Sequence, residues 1–184
     1  MKLHKDLNRL RIYRKFKISI MSKNQSLIAE LQYEAESTRK SLERIKEDTY
    51  GYQPHAKSMT MLKLATHIAE IPGWIEPTIN LNEIDFAKMD YKPPVITNNK
   101  ELLKLFDKSL AKGLEALNSA SDANLMATWT AKNNGEVVFS MQRLQVVRGM
   151  ILKHIVHHRA QLGVFLRMTE VSVPKTYGPT ADEQ

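Results

Sequence analysis

Four stretches of this sequence repeat apolar side chains at intervals of three and four residues, the spacing of one face of an α-helix. The stretches cover residues 28–45, 61–75 and 103–117, and a last one from about 140 to 169. Amphipathic helices of this length bury their apolar faces by packing together. The sequence therefore predicts an all-α fold, and specifically a four-helix bundle.

Local signals mark where these helices begin and bend. Asn98, with Glu101 three residues later, is a capping box that predicts the start of the third helix. Pro72 has no amide hydrogen and should kink the second helix or end it early. Residues 81–97 form a long link, and the Asn-Gly pair at 134–135 favours a short β-hairpin before the last helix.

The composition is typical of a single ordered domain, with one unusual terminus. Of 184 residues, 42% are hydrophobic, and the formal net charge is +7. Residues 1–20 hold seven Lys and Arg and one Asp, so +6 of that charge lies there. This segment could be a basic arm for nucleic acid, or a poorly ordered extension ahead of an alternative start at Met21. We favour the extension, with residues 21–184 as one domain that binds no nucleic acid.

Cysteine is absent from the chain, which excludes disulfides, thiolate metal ligands and a cysteine nucleophile. Residues 1–20 lack the apolar core of a signal peptide, and no run of about 20 apolar residues occurs. We therefore predict a cytoplasmic protein with no membrane partner.

Three of the six histidines fall within the stretch HIVHHRAQ at 154–161. His154 and His158 are four residues apart on the buried stripe of the fourth helix, the separation at which one helix can present two imidazoles to one metal ion. Ile155 stands where a metallopeptidase of the H-E-x-x-H type has its glutamate. His67, beside the apolar face of the second helix, is the predicted third ligand, whereas His157 lies off the stripe.

Three neutral imidazoles with an open fourth position are typical of a catalytic transition-metal site, and imidazole suits Zn, Ni, Fe and Cu alike. The alternative is that these histidines are hydrogen-bonded core residues, and the spacing alone leaves both interpretations open. His4 and His55 are lesser candidates. Lys57, Arg159 and Gln161 could orient an anionic substrate or support the ligands, or serve only as helix-surface and capping residues.

Three stretches resemble the DinB-like superfamily, which includes the DinB and YfiT proteins. They are YQPHAKSMTMLKLATHIAEIPGW at 52–74, HIVHHRAQLGVFLR at 154–167 and VPKTYGPTADE at 173–183. The resemblance extends over residues 21–184 and implies an up-down-down-up four-helix bundle. It also implies a metal site formed by His67, His154 and His158. Lys153 and Ala160 depart from the Asn and Gly that family members often have there.

The resemblance further implies a transferase that uses a low-molecular-weight thiol, such as bacillithiol or mycothiol, on small electrophilic molecules. A divalent cation stabilises thiolate over thiol, and in a cysteine-free chain that thiol must come from outside. A metal-dependent hydrolase and a non-enzymatic, stress-related metal-binding protein are the alternatives. The expected partners are a small-molecule substrate and, as an open alternative, a second copy of the chain.

Overall fold

The structure is a computed structural model that describes residues 21–184. Its helices are α1 (Lys23–Glu43), α2 (Met61–Glu70), α3 (Ile75–Asn80), α4 (Asn99–Ser119), α5 (Asp122–Met126), α6 (Arg143–Gln145) and α7 (Lys153–Met168). Three 3₁₀ turns (Glu47–Thr49, Ile71–Trp74 and Phe86–Lys88) and a π-helical segment (Val146–Leu152) complete the helical elements. The strands are β1 (Glu83–Asp85), β2 (Thr128–Asn133) and β3 (Glu136–Gln142). The predicted N-terminal extension, residues 1–20, lies outside the described residues.

Helices α1, α2, α4 and α7 pack together, with α1 and α2 each contacting both α4 and α7. The predicted apolar stripes supply most of the core, which forms two main clusters of buried side chains. The first cluster includes Leu64 and Leu162, and the second includes Ile71 and Ile155. The predominantly helical fold is therefore confirmed. In the described part of the chain, no helix has both the length and the apolar character needed to cross a bilayer.

The all-α prediction is corrected by a three-stranded sheet in the order β1-β2-β3. The predicted hairpin is present, because β2 and β3 pair in antiparallel fashion around Asn134 and Gly135, which have φ angles of 53° and 87°. The strand that was not predicted, β1, lies in the long link and pairs in parallel with β2. The Asp85 carboxylate accepts hydrogen bonds from the Asn134 and Gly135 amides, both at 2.8 Å, which fastens the link to the hairpin turn.

The last helix begins later than predicted and is not α-helical throughout. Strand β3 continues through Gln142, so Ser140 is a strand residue and the helix begins at Arg143. The buried Arg143 guanidinium donates to the Thr78 and Leu81 carbonyl oxygens, each at 3.0 Å. These bonds fix the start of the helix against the end of α3. The π-helical segment follows before regular α-helix resumes at α7.

Pro72 bends the second helix, as predicted. The chain passes from α2 through the 3₁₀ turn at Ile71–Trp74 into α3. The turn packs closely against α4 at Gly113, where an added Cβ would lie 2.5 Å from the Pro72 carbonyl oxygen. Glycine at this position therefore sets how near α4 can come to the bend.

We predict that Gly113→Ala lowers the free energy of unfolding by about 1–3 kcal/mol, because the new methyl group overlaps a backbone oxygen. Urea unfolding followed by circular dichroism measures this change. Gly149→Ala is the matched control, since no atom lies within 4 Å of its added Cβ and alanine favours a helix. A Gly113→Ala variant as stable as the parent would contradict the close approach.

Candidate metal centre

The structure brings together the three histidines that the sequence singled out. His67 lies near the end of α2, and His154 and His158 lie one turn apart on α7. The Nε2 atoms of His67 and His154 are 3.3 Å apart, and those of His154 and His158 are 2.7 Å apart. One nitrogen from each ring can be chosen so that all three lie within 4.8 Å of one another.

The histidine cluster lies at the level where the two main apolar clusters of the core meet. Leu64 on α2 and Ile71 in the turn that follows lie on either side of His67, and they belong to different clusters. On α7, Ile155 belongs to the second cluster and Leu162 to the first, and His158 lies between them. The imidazoles therefore form a polar layer between two apolar layers.

This position keeps the imidazoles neutral at pH 7. Burial, with repulsion from His158 and His154, lowers the pKa of His67 to about 4. Burial likewise lowers the pKa values of His154 and His158, in each case with repulsion from a neighbouring histidine as a smaller cause. A neutral imidazole has a free lone pair, which is the form that binds a metal ion.

Hydrogen bonds at the outer ring nitrogens direct the free lone pairs inward. His158 Nδ1 lies 2.7 Å from Gln161 Oε1. An amide oxygen only accepts hydrogen bonds, so Nδ1 carries the hydrogen and Nε2 is left as the acceptor. His154 has the corresponding bond to the backbone of Met150. Gln161 was among the predicted supporting residues, and it contacts His158 as such a residue would.

The three side chains fit a divalent transition-metal ion. The Nε2 atoms of His154 and His158 are 2.7 Å apart, so one ion could contact both. Nitrogen ligands about 2.0–2.1 Å from a tetrahedral ion are about 3.3 Å from one another, close to the spacing of His67 and His154. The donor set of three imidazoles suits zinc, nickel or iron equally.

Trp74 borders the cluster, and it was not among the predicted site residues. Its ring centroid lies 5.4 Å from that of His67 and 5.4 Å from that of His154. Trp74 follows His67 by seven residues, or about two helical turns. In the sequence, this spacing was the signal that both side chains lie on the same face. The other tryptophan, Trp129, is buried against the sheet in a separate cluster.

The remaining histidines and Lys57 lie outside the three-histidine group. His157 is exposed, although its ring centroid is 4.9 Å from that of His158. His55 and Lys57 lie in an exposed turn before α2, where His55 Nδ1 accepts the Lys57 amide hydrogen at 3.1 Å. His4 is outside the described residues.

Arg159 is buried, and its guanidinium is engaged on the side of α7 that faces α1. It forms an ion pair with Glu34 at 2.7 Å and donates to the Tyr177 hydroxyl at 2.6 Å. The Tyr177 hydroxyl in turn lies 2.8–2.9 Å from both carboxylate oxygens of Glu34. Arg159 therefore joins α1, α7 and the C-terminal segment. Glu34 and Tyr177 were not predicted, and the only local signal was a carboxylate beside the apolar stripe of α1.

Comparison with known proteins gives one family. The family model described as the DinB family matches residues 21–184. A crystal structure of a DinB-like protein from Bacillus subtilis has a TM-score of 0.65 at 16% identity, covering 86% of this chain and 99% of that chain. Another, from Bacillus cereus, has a TM-score of 0.62 at 22% identity and covers 83% of this chain and 97% of that chain. None of the curated proteins compared with the sequence matches it.

The lowered pKa of His67 predicts that this side chain makes stability depend on pH. In unfolded chains the imidazole has its ordinary pKa of about 6.5, against about 4 when folded. Between these values the unfolded state binds more protons, so the free energy of unfolding falls as pH falls from about 6.5 to 4. His67→Gln should therefore lose less stability than the parent between pH 7 and pH 4.5.

Urea unfolding at both pH values, in the presence of a chelator, measures this difference. His157→Gln is the matched control, because His157 is exposed and should leave the pH dependence as it is in the parent. Equal pH dependence in the parent and in His67→Gln would show that His67 is not held neutral by its burial.

Proposed function

This chain belongs to the DinB family, and on that premise we propose that it is a metal-dependent transferase that moves a low-molecular-weight thiol onto small electrophilic molecules. The observation that carries the proposal is the convergence of three neutral imidazoles on one point between α2 and α7. Family membership supports the choice of this chemistry, and the geometry supports the choice of residues.

His67, His154 and His158 would hold the ion, with Gln161 fixing the tautomer of His158. A divalent ion bound by three imidazoles stabilises the thiolate form of a small thiol and so supplies a nucleophile at neutral pH. The apolar clusters above and below cover the three rings on those two sides, while His67 and His154 stay half-buried. The clusters also keep the rings uncharged, so the ion meets no competition from protons at pH 7.

The thiol itself must come from a second molecule, because the chain has no cysteine. A thiol-transfer reaction at this centre would therefore bring together two small molecules, the thiol and the electrophile. A hydrolase would need one small-molecule substrate and water but no thiol. A non-enzymatic metal-binding protein would need neither a thiol nor a substrate. These alternatives give different results in the experiments below.

Three narrower expectations stay predictions. Family membership favours the up-down-down-up order for the four long helices. A homodimer and a cytoplasmic location are likewise predictions.

We predict that the purified chain binds one equivalent of a divalent transition metal through its three-histidine group. His67→Ala, His154→Ala and His158→Ala should each weaken binding by more than about 100-fold, whereas His157→Ala should not. Gln161→Leu should have a smaller effect, about 10- to 100-fold, since loss of a supporting hydrogen bond has effects of that size. Titration calorimetry measures these affinities, and circular dichroism checks that each variant is folded. Loss of binding in His157→Ala with retention in His154→Ala would contradict the assignment.

We predict that a small thiol binds more tightly to the metal-loaded chain than to the metal-free chain. Binding as thiolate releases a proton, so it should strengthen as pH rises toward the pKa of the free thiol, about 8.5 for a cysteine-like group. Calorimetry with bacillithiol or 2-mercaptoethanol, from pH 6 to pH 8.5, tests this. Ester or amide cleavage without thiol would favour a hydrolase, and metal binding with no detectable thiol binding at millimolar concentration would overturn the transferase proposal.

A further inference from the structure

The side chains of the histidine cluster and its neighbour Trp74 differ in exposure. His158 is 8% exposed and Trp74 is 38% exposed, with His67 and His154 half-buried between them. Trp74 contacts the two half-buried rings at 5.4 Å each. The most exposed side chain of this group is therefore the Trp74 indole, and it lies beside the two half-buried imidazoles.

The backbone fixes the position from which this indole projects. Trp74 ends the 3₁₀ turn Ile71–Trp74, which contains Pro72, and the turn is packed against Gly113 and Ser109 of α4. Because α3 follows at once, the turn is anchored at both ends by helix. The position of Trp74 relative to His67 is thus set by the bend of the second helix and does not depend on a free loop.

The orientation of the ring leaves part of its surface available. The indole plane is inclined at 64° to the His67 ring and at 63° to the His154 ring, so both contacts are edge-type. An exposed indole face binds planar π systems or cations. A cation would be repelled by a divalent ion in the same site, which leaves planar groups without a positive charge as the favoured class.

We propose that Trp74 determines ligand specificity at the centre, its exposed indole surface stacking on a planar aromatic or unsaturated group next to the atom that ligates the ion. This inference rests on the proposed function, because it requires an ion held by the three histidines with one position open to a ligand. It goes further in naming the kind of substituent that the site selects and the side chain that selects it.

The test uses two neutral nitrogen ligands, imidazole and benzimidazole, which differ by a fused planar ring. Each is titrated into the cobalt-loaded chain, and binding is followed by the visible absorption of Co²⁺. The variants are Trp74→Ala and Trp74→Phe. Trp129→Phe is the matched control, because the Trp129 indole NH has no hydrogen-bond partner within the described residues and phenylalanine keeps an aromatic ring in the separate cluster by the sheet.

In the parent, benzimidazole should bind more tightly than imidazole. Trp74→Ala should weaken benzimidazole about two- to tenfold and leave imidazole unchanged, because an aromatic pair contributes an amount of that size. Trp74→Phe should keep part of the preference, and Trp129→Phe should keep all of it. Unchanged Co²⁺ stoichiometry and far-ultraviolet circular dichroism confirm that the Trp74 variants retain the centre.

Equal weakening of both ligands by Trp74→Ala, or no change in either, would overturn the inference. So would an equal loss of preference in Trp129→Phe. A chain that binds Co²⁺, imidazole and benzimidazole but no thiol would overturn the transferase proposal. The role of Trp74 would then still be tested by comparing imidazole with benzimidazole. A chain that takes up no Co²⁺ would overturn both.

Discussion

The placement of three uncharged imidazoles between two apolar clusters is the constraint on which the rest of the structure depends. Burying a polar group costs about 1–3 kcal/mol where its hydrogen bonds are lost, whereas each fully buried Leu or Ile stabilises the fold by about 1.5–3 kcal/mol. Both clusters contain many such side chains, so the helices hold their positions without help from an ion. The same burial keeps the imidazoles neutral, so the packing that stabilises the fold also prepares the nitrogens to bind a metal.

A second buried polar group fixes the orientation of the last helix. The ion pair of Arg159 and Glu34, with side chains 4% and 11% exposed, lies on α7 directly beside His158 and is completed by the Tyr177 hydroxyl. Breaking such a buried pair by removing one partner costs about 3–5 kcal/mol. A rotation of α7 that moved the histidines away from α2 would break it. The C-terminal segment therefore helps to aim the centre although it does not touch the three nitrogens.

Local patterns predicted the long helices, the hairpin and the pairing of His154 with His158, and they failed where distant parts of the chain meet. Asn98 caps α4 through a bond within its own turn, and the four-residue spacing of His154 and His158 is also local. Strand β1 has only three residues and exists because it pairs with β2, some 45 residues away, a pairing that leaves no periodic pattern. The partners of Arg159 lie on α1 and in the C-terminal segment, so its buried position was equally hidden.

The π-helical segment at Val146–Leu152 has a consequence for comparing this chain with its relatives. A π turn takes one more residue than an α turn, so it acts as a single-residue insertion within a continuous helix. It lets Val146 join the cluster at the sheet while Val147 and Ile151 face the core. A relative whose last helix is α-helical throughout matches this chain only with a one-residue gap here. Without the gap, a sequence alignment would shift every residue of the helix before the turn by one position, while the histidines after the turn stayed correctly aligned.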